Sequence, residues 1–197
     1  MRKRWIVGIT GASGSVYGVK LVNFLLRSEY EVHLVITDAG WRVLHDELGW
    51  NASRRREEVA GRFGWGEDRL VYHPVQDIGA SIASGSYRTE GMVVVPCSMG
   101  TLSAVAHGSS GNLLERAADV ILKENRRLLL VPRETPLSVI HLENMLRLAR
   151  MGAAIIPAMP AFYQQPASLE ELTDFMVGRI LDSMNIEHDL YRRWGEP

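Results

Sequence analysis

The sequence predicts a doubly wound α/β fold, a parallel sheet with helices on both faces. Three observations carry this. Apolar runs such as Met92-Val93-Val94-Val95 and Leu128-Leu129-Leu130-Val131 are continuous rather than alternating, as strands buried on both faces must be. The segments after them repeat apolar residues at helical spacing. Between run and helix stand Gly, Pro, Ser or Thr, which punctuate strand-to-helix turns. Right-handed crossovers then place the helices on both faces of a Rossmann-like sheet.

Trp5-Ile6-Val7-Gly8-Ile9 is the first strand. Gly11 and Gly14 make its turn, and Val16, Val19, Leu21, Val22, Leu25 and Leu26 mark a helix up to Arg27. Val32 to Ile36 is the second strand, and Gly40 to Leu48 a helix. The charged stretch Arg54 to Arg62 is helical, and Gly61, Gly64 and Gly66 mark a loop. Leu70-Val71-Tyr72 is a weak strand leading into a polar loop with Ser81, Ser84, Gly85 and Ser86. Met92 to Val95 is closed by Pro96-Cys97-Ser98, and helices follow from about Gly100 to His107 and from Leu113 to Asn125. Leu128 to Val131 ends in Pro132-Arg133-Glu134. Leu137 to Arg150 is a helix with Leu142, Met145, Leu146 and Ala149 on one face. Ala153 to Ile156 is the last strand, and Ser168 with Glu171 has the form of a capping box opening a final helix. A polar tail, about 186–197, closes a single domain spanning 1–197.

Composition narrows the function. Lys+Arg 22 against Asp+Glu 23 leaves a net charge of −1, which argues against nucleic-acid binding by bulk charge. One cysteine, Cys97, rules out an internal disulfide and a Cys-based zinc site. At a strand end it is expected to be a small buried hydrophobe. The basic start Met1-Arg2-Lys3-Arg4 is followed by too short an apolar run for a signal peptide or membrane span, so a cytoplasmic protein is expected.

Sheets of this kind bind ligands at the carboxyl ends of their strands. After the first strand comes Gly8-Ile9-Thr10-Gly11-Ala12-Ser13-Gly14, whose small residues admit a ligand to the backbone and whose helix offers its N-terminus to a phosphate. The spacing is not G-x-G-x-x-G, although Asp38 follows the second strand where a ribose-binding acid is expected. The turn serves either close helix–strand packing or a phosphate-bearing cofactor, with FMN favoured over NAD. Ser98-Met99-Gly100-Thr101 is a second polar cradle or a plain N-cap. Arg133-Glu134, stiffened by Pro132 and Pro136, suits bidentate phosphate binding or a surface ion pair. Pro157 to Tyr163 forms an apolar wall or closes the core.

Four further side chains stand out. Arg179 falls on or beside the apolar stripe of the last helix, to snorkel or to face an anion. Arg116 and Lys123, seven apart, project from nearly the same face, and Asp119 can pair with Lys123. Glu47 falls near the end of the helix after the second strand, where most carboxylates are only solvated. Together these residues suggest two phosphate sites around one crevice, one for a mononucleotide and one for a second anionic substrate.

The ordered blocks Thr10-Gly11-Ala12-Ser13-Gly14, Ser84-Gly85-Ser86, Pro96-Cys97-Ser98, Gly100-Thr101-Leu102-Ser103, Glu115 to Val120, Leu122-Lys123-Glu124, Val131 to Pro136, Pro160 to Tyr163 and Arg193-Trp194 span almost the whole chain. In them the sequence resembles the flavin prenyltransferases of the UbiX type, formerly described as aromatic-acid decarboxylase subunits. The resemblance implies transfer of a dimethylallyl group to reduced FMN from dimethylallyl phosphate or pyrophosphate, without metal. The product, prenylated FMN, would serve a UbiD-type decarboxylase. By resemblance Gly11, Ala12, Ser13, Thr37, Ser98, Thr101 and Arg133 hold FMN, with Met99 and Gly100 in the same loop. Lys123, Glu134, Tyr163 and Arg179 hold the prenyl phosphate, with Ser84 and Arg116 beside it. Glu47 and Trp194 match further active-site positions. The family also implies a dodecamer with sites at subunit interfaces, and so residues supplied by a neighbouring chain.

The departures are local. Ile78 stands where some members carry Trp, Met99-Gly100 replaces other pairs, and Asn51 to Asp68 matches least. Three other readings are an FMN-dependent decarboxylase of the cysteine-decarboxylase type, a non-catalytic FMN carrier and direct decarboxylation of phenolic acids. The first expects an Asn-containing Pro-x-Met-Asn block where this chain has Pro96-Cys97-Ser98-Met99-Gly100. The second needs no second phosphate site. Direct decarboxylation of phenolic acids would need an acid–base set beyond these residues.

Overall fold

The computed structural model describes residues 2–66 and 68–195. Met1 of the basic start, Glu67 of the 51–68 region, and Glu196 and Pro197 of the expected tail lie outside the described residues. Six parallel strands are ordered β3-β2-β1-β4-β5-β6: β1 (Arg4–Ile9), β2 (Glu31–Ile36), β3 (Leu70–Pro74), β4 (Gly91–Cys97), β5 (Arg127–Pro132) and β6 (Ala154–Ile155). Val7 stands opposite Leu34 on one side and Val93 on the other. The helices are α1 (Ser15–Arg27), α2 (Asp38–Leu48), α3 (Arg55–Phe63), α4 (Met99–Ala106), α5 (Leu113–Lys123), α6 (Val139–Arg150) and α7 (Leu169–Met184).

The strand pleat divides the core in two. Trp5, Val7 and Ile9 point to the face covered by α1, α2, α3 and α7, where Leu21, Leu25, Trp41, Val59 and Ile180 pack. Ile6, Met92 and Val94 point to the opposite face, under Leu102, Leu114, Ile121 and Leu148 of α4, α5 and α6. Helix starts are set by side-chain caps. Thr37, Ser98, Asn112, Ser138 and Ser168 each accept a backbone N–H of the following helix, each worth about 1 kcal/mol. The chain winds from β1 out to β3 and returns past β1 to β4, so the direction reverses between β1 and β4.

Several expectations need correction. β4 runs on through Pro96 to Cys97, with a register shift against β5 between Val94 and Cys97. The last strand, expected over Ala153 to Ile156, is two residues long and half-buried, because it is the sheet edge. α6 begins after its Ser138 cap rather than at Leu137. Its inner residues are Asn144 and Leu148; Leu142, Leu146 and Ala149 face outward, so the apolar stripe is not the one that meets the sheet. Asp119 pairs with Arg116 at 3.4 Å, while Lys123 pairs with Glu124 at 2.9 Å, so the expected Asp119–Lys123 pair does not form. Cys97 is fully buried, and burial pushes its thiol up to about 12, which fits an inert core group. No helix of the described residues is long and apolar enough to cross a membrane.

Candidate active site

A doubly wound sheet opens a crevice where its strand order reverses, here outside the carboxyl ends of β1 and β4. Thr10 spans that point. Its N–H and its hydroxyl both donate to the Pro96 carbonyl, at 3.2 and 2.8 Å, and the hydroxyl accepts the Ser98 N–H at 2.7 Å. Thr10 is fully buried, so it braces the crevice floor rather than meeting a ligand. Its one signal in the sequence is a polar residue placed directly after a buried strand.

On the β4 side, Ser98 caps α4. Its hydroxyl accepts the Thr101 N–H at 3.4 Å and donates to the Thr101 hydroxyl at 3.1 Å. The first-turn N–H groups at Met99 and Gly100 have no intrahelical acceptor. A Cβ on Gly100 would meet nothing within 4 Å, so the space before this helix start is open. Hydroxyls, free N–H groups and the helix's positive end fit a phosphate ester.

On the β1 side, Gly11, Ala12 and Ser13 form the loop before α1. Gly14 has φ 103°, a left-handed turn that suits glycine. The start of α1 is occupied by the protein itself. The Glu47 carboxylate accepts the N–H groups of Gly14 at 3.0 Å and Ser15 at 2.9 Å, and the Ser15 hydroxyl at 2.7 Å. Partial burial pushes Glu47 up, but hydrogen bonds from Ser13, Ser15 and the Gly14 and Ser15 backbone outweigh it and hold the carboxyl below its usual range. An anion already sits on this helix dipole, whereas the start of α4 remains open to an anion. Thr37, at the end of β2, caps α2 by accepting the Gly40 N–H at 3.0 Å.

Arg133 and Glu134 are exposed beyond β5. With Pro132, Thr135, Leu137 and Met145 they face Pro157, Ala158 and Met159 across a mostly apolar cavity of about 280 Å³. Arg179, Tyr163 and Trp194 form a separate cluster along α7. Tyr163 meets Phe175 and Trp194 edge-on, with ring centres 6.0 and 5.4 Å apart. Arg179 donates to the Tyr191 hydroxyl at 3.4 Å and to Asp182 at 3.2 Å. Trp194 is 85% exposed. Asp182, which the sequence reading passed over, also binds Arg193.

Lys123 and Ser84 do not join either group within one chain. Lys123 ends α5, which precedes β5, whereas Arg133 follows β5. Six strand residues separate the two ends, about 20 Å. Lys123 lies at the amino end of the sheet, beside the Ser84-Gly85-Ser86 loop: a Cβ on Gly85 would stand 3.1 Å from its Nζ. Ser84 and Ser86 hydroxyls are 3.0 Å apart. Arg116 lies seven residues up α5, about 10 Å nearer the crevice end. Among the described residues no group of three or more His, Cys, Asp or Glu side chains is placed to hold a metal ion.

A doubly wound parallel sheet with an open helix start at its switch point is the architecture of nucleotide-cofactor-binding proteins, and the model of the Flavoprotein family matches residues 1–185. The chain is 56% identical over 196 residues to a flavin prenyltransferase UbiX of Alkalihalophilus pseudofirmus, covering 100% of this chain and 98% of the relative. Among solved structures, AnUbiX in complex with FMN and dimethylallyl pyrophosphate has TM-score 0.91 and 42% identity, covering 100% of this chain and 99% of that one. A dodecameric FMN-dependent UbiX-like decarboxylase from Escherichia coli O157:H7 has TM-score 0.88 and 44% identity, covering 98% of this chain and 100% of that one. The chain therefore belongs to the flavoproteins and, within them, to the UbiX family of flavin prenyltransferases.

Proposed function

We propose that this protein transfers a dimethylallyl group from dimethylallyl phosphate to reduced FMN, without a metal ion, and hands prenylated FMN to a UbiD-type decarboxylase. It acts in the cytoplasm as a homo-oligomer, and a dodecameric relative supports that form. The observation that carries this reading is the presence of two separate polar sets. The seat at Ser98, Met99, Gly100, Thr101 and Arg133, with Gly11, Ala12, Ser13 and Thr37 across the crevice, suits FMN. The cation–aromatic set of Arg179, Tyr163 and Trp194 suits an allylic phosphate. A flavin carrier would need only the first, and the cysteine-decarboxylase reading is not favoured by relatives at 56 and 55% identity.

Reduced FMN supplies the nucleophilic ring atoms. The protein's own part is positioning and charge. Cations fixed in place stabilise the charge gathering on the leaving phosphate; Lys123, Arg179 and Arg116 do this. The faces of Trp194 and Tyr163 favour an allylic cation. Glu134, exposed beside Arg133, and the departing phosphate move the protons. Glu47, held as a carboxylate, accepts a proton rather than giving one.

Lys123 and Ser84 reach the site from a neighbouring chain, since their own crevice lies at the other end of the sheet, while Arg116, in the first turn of α5, lies toward the crevice end. The outer side of α6 supports assembly: Val139, Ile140, Leu142 and Leu146 are 69, 65, 51 and 50% exposed, a patch monomers rarely carry.

The test is direct. The protein is incubated with reduced FMN and dimethylallyl phosphate, without added metal, and the flavin is weighed by mass spectrometry. A prenyl adduct is expected. No adduct with the phosphate or the pyrophosphate rejects the reading.

A further inference from the structure

One carboxylate joins the last helix to the chain beyond it. Asp182 lies half a turn from the end of α7. It accepts from Arg179 at 3.2 Å, from Arg193 at 2.9 Å and from the Tyr191 hydroxyl, and His188 Nε2 lies 3.2 Å away. The His188 side chain is fully buried. The tail comes this close because Gly178 has no side chain. A Cβ there would stand 2.5 Å from the Tyr191 ring and 2.7 Å from that of His188. From this seat Tyr191 packs on Phe175, with ring centres 5.0 Å apart, and Phe175 meets Tyr163, against which Trp194 rests.

An acid in the last turn of a helix is electrostatically misplaced, because that end already carries partial negative charge. Partial burial pushes Asp182 up as well, yet hydrogen bonds from Tyr191 and Arg193 outweigh it and hold the carboxyl below its usual range. Of the interactions that compensate, Arg179 leads to the donor side directly and Tyr191 and Arg193 lead on to Trp194, while His188 anchors the tail beside them. A solvated surface acid would show no such convergence.

We infer that Asp182 is a positioning residue for prenyl transfer: it fixes the Arg179 guanidinium and, by docking the tail on Gly178, sets Trp194 against Tyr163. Asp182 itself touches no reactant. The inference rests on the proposed role of Arg179, Tyr163 and Trp194, and it assigns the C-terminal segment to the donor site rather than to stability.

Two variants test it alongside the unaltered enzyme. Asp182→Asn removes the charge. Gly178→Ala pushes Tyr191 off its seat while improving intrinsic helix propensity, so α7 survives. Each is measured for FMN affinity, for KM and kcat with dimethylallyl phosphate, and for the rate of trypsin cleavage after Arg192 and Arg193. Expected are FMN binding within about twofold of the unaltered enzyme, and tail cleavage and donor KM each raised about tenfold, the scale of one lost charge-assisted hydrogen bond. Unchanged cleavage and KM in both variants overturn the inference. Faster cleavage with an unchanged donor KM also overturns it, because the tail is then held for stability alone. An unaltered enzyme that makes no adduct overturns the functional reading instead, and the cleavage rates still decide whether Asp182 and Gly178 dock the tail.

Discussion

The hydroxyl of Thr10 accepts the Ser98 N–H at 2.7 Å, linking the end of β1 to the cap of α4 across the point where the sheet reverses. It also donates to the Pro96 carbonyl. Thr10→Val keeps the shape and strips both bonds, leaving the Ser98 N–H without that partner. The expected cost is about 1–3 kcal/mol, a fall of several degrees in Tm for a chain of this size. FMN affinity should fall with it if Ser98 holds the FMN phosphate, as proposed. Differential scanning fluorimetry and flavin titration check the two effects separately.

Glu47 makes a pH-dependent contribution whose sign is fixed. Its folded carboxyl lies below the ordinary value of 4.5, so its stabilisation is present above that value and is lost as pH falls through the folded one. Glu47→Gln should therefore be less stable than the unaltered protein at neutral pH. The gap in Tm should close as pH falls below 4.5. A gap constant from pH 7 to 3 would mean that shape, not charge, caps α1.

His33 and His73 act in a higher window. They are buried, with Nδ1 of His33 2.8 Å from Nε2 of His73, and His33 Nε2 also meets the Tyr87 hydroxyl at 2.9 Å and Glu31 at 3.1 Å. Burial first, then the neighbouring His33, pushes His73 down to about 4 from 6.5. Burial lowers His33 too, against the pull of Glu31. The unfolded chain takes up protons first, so stability is full above 6.5 and is lost as pH falls toward about 4. The loss is on the order of 3 kcal/mol for His73. His73→Gln should flatten this part of the Tm–pH curve.

The strands and the crevice were legible because parallel strands are buried on both faces and advertise themselves as apolar runs. What lay beyond local pattern was not. The apolar residues of α6 look like a core stripe, yet Asn144 and Leu148 face the sheet and Leu142 and Leu146 face out, because packing against the sheet and not helical spacing decides which side is covered. Arg116 and Lys123 share a helix face, but spacing along α5 says nothing of which end of the sheet Lys123 reaches. Asp182 gathers partners up to eleven residues on, in a tail without periodicity. Thr10 stands within a local glycine motif, while its bonds to Pro96 and Ser98 span more than eighty residues.

The exposed side of α6 gives a prediction about assembly. Ile140 and Leu146 are at least half exposed, so Ile140→Asp with Leu146→Asp removes little from the chain's own core. Buried at a contact between chains, the same charges would be strongly unfavourable. Sedimentation should show smaller species, and prenyl transfer should fall with assembly while each chain keeps its far-ultraviolet circular dichroism. An unchanged sedimentation coefficient would place the contact elsewhere.

The proposed sharing of sites between chains makes a further demand. Lys123 precedes β5 and Arg133 follows it, so one chain holds them about 20 Å apart. Lys123→Ala should abolish transfer while FMN stays bound, and Arg133→Ala should weaken FMN binding itself. In a site built by two chains these defects complement each other. A site pairing the intact Arg133 of one chain with the intact Lys123 of its neighbour is whole. Coexpressing the two variants in equal amounts should restore about a quarter of the normal activity if chains mix at random across a head-to-tail contact. Purification through different tags on the two chains ensures that only mixed oligomers are assayed. Activity no higher than that of the separate variants would mean that Lys123 serves its own chain, and that α5 must move to bring it to the crevice.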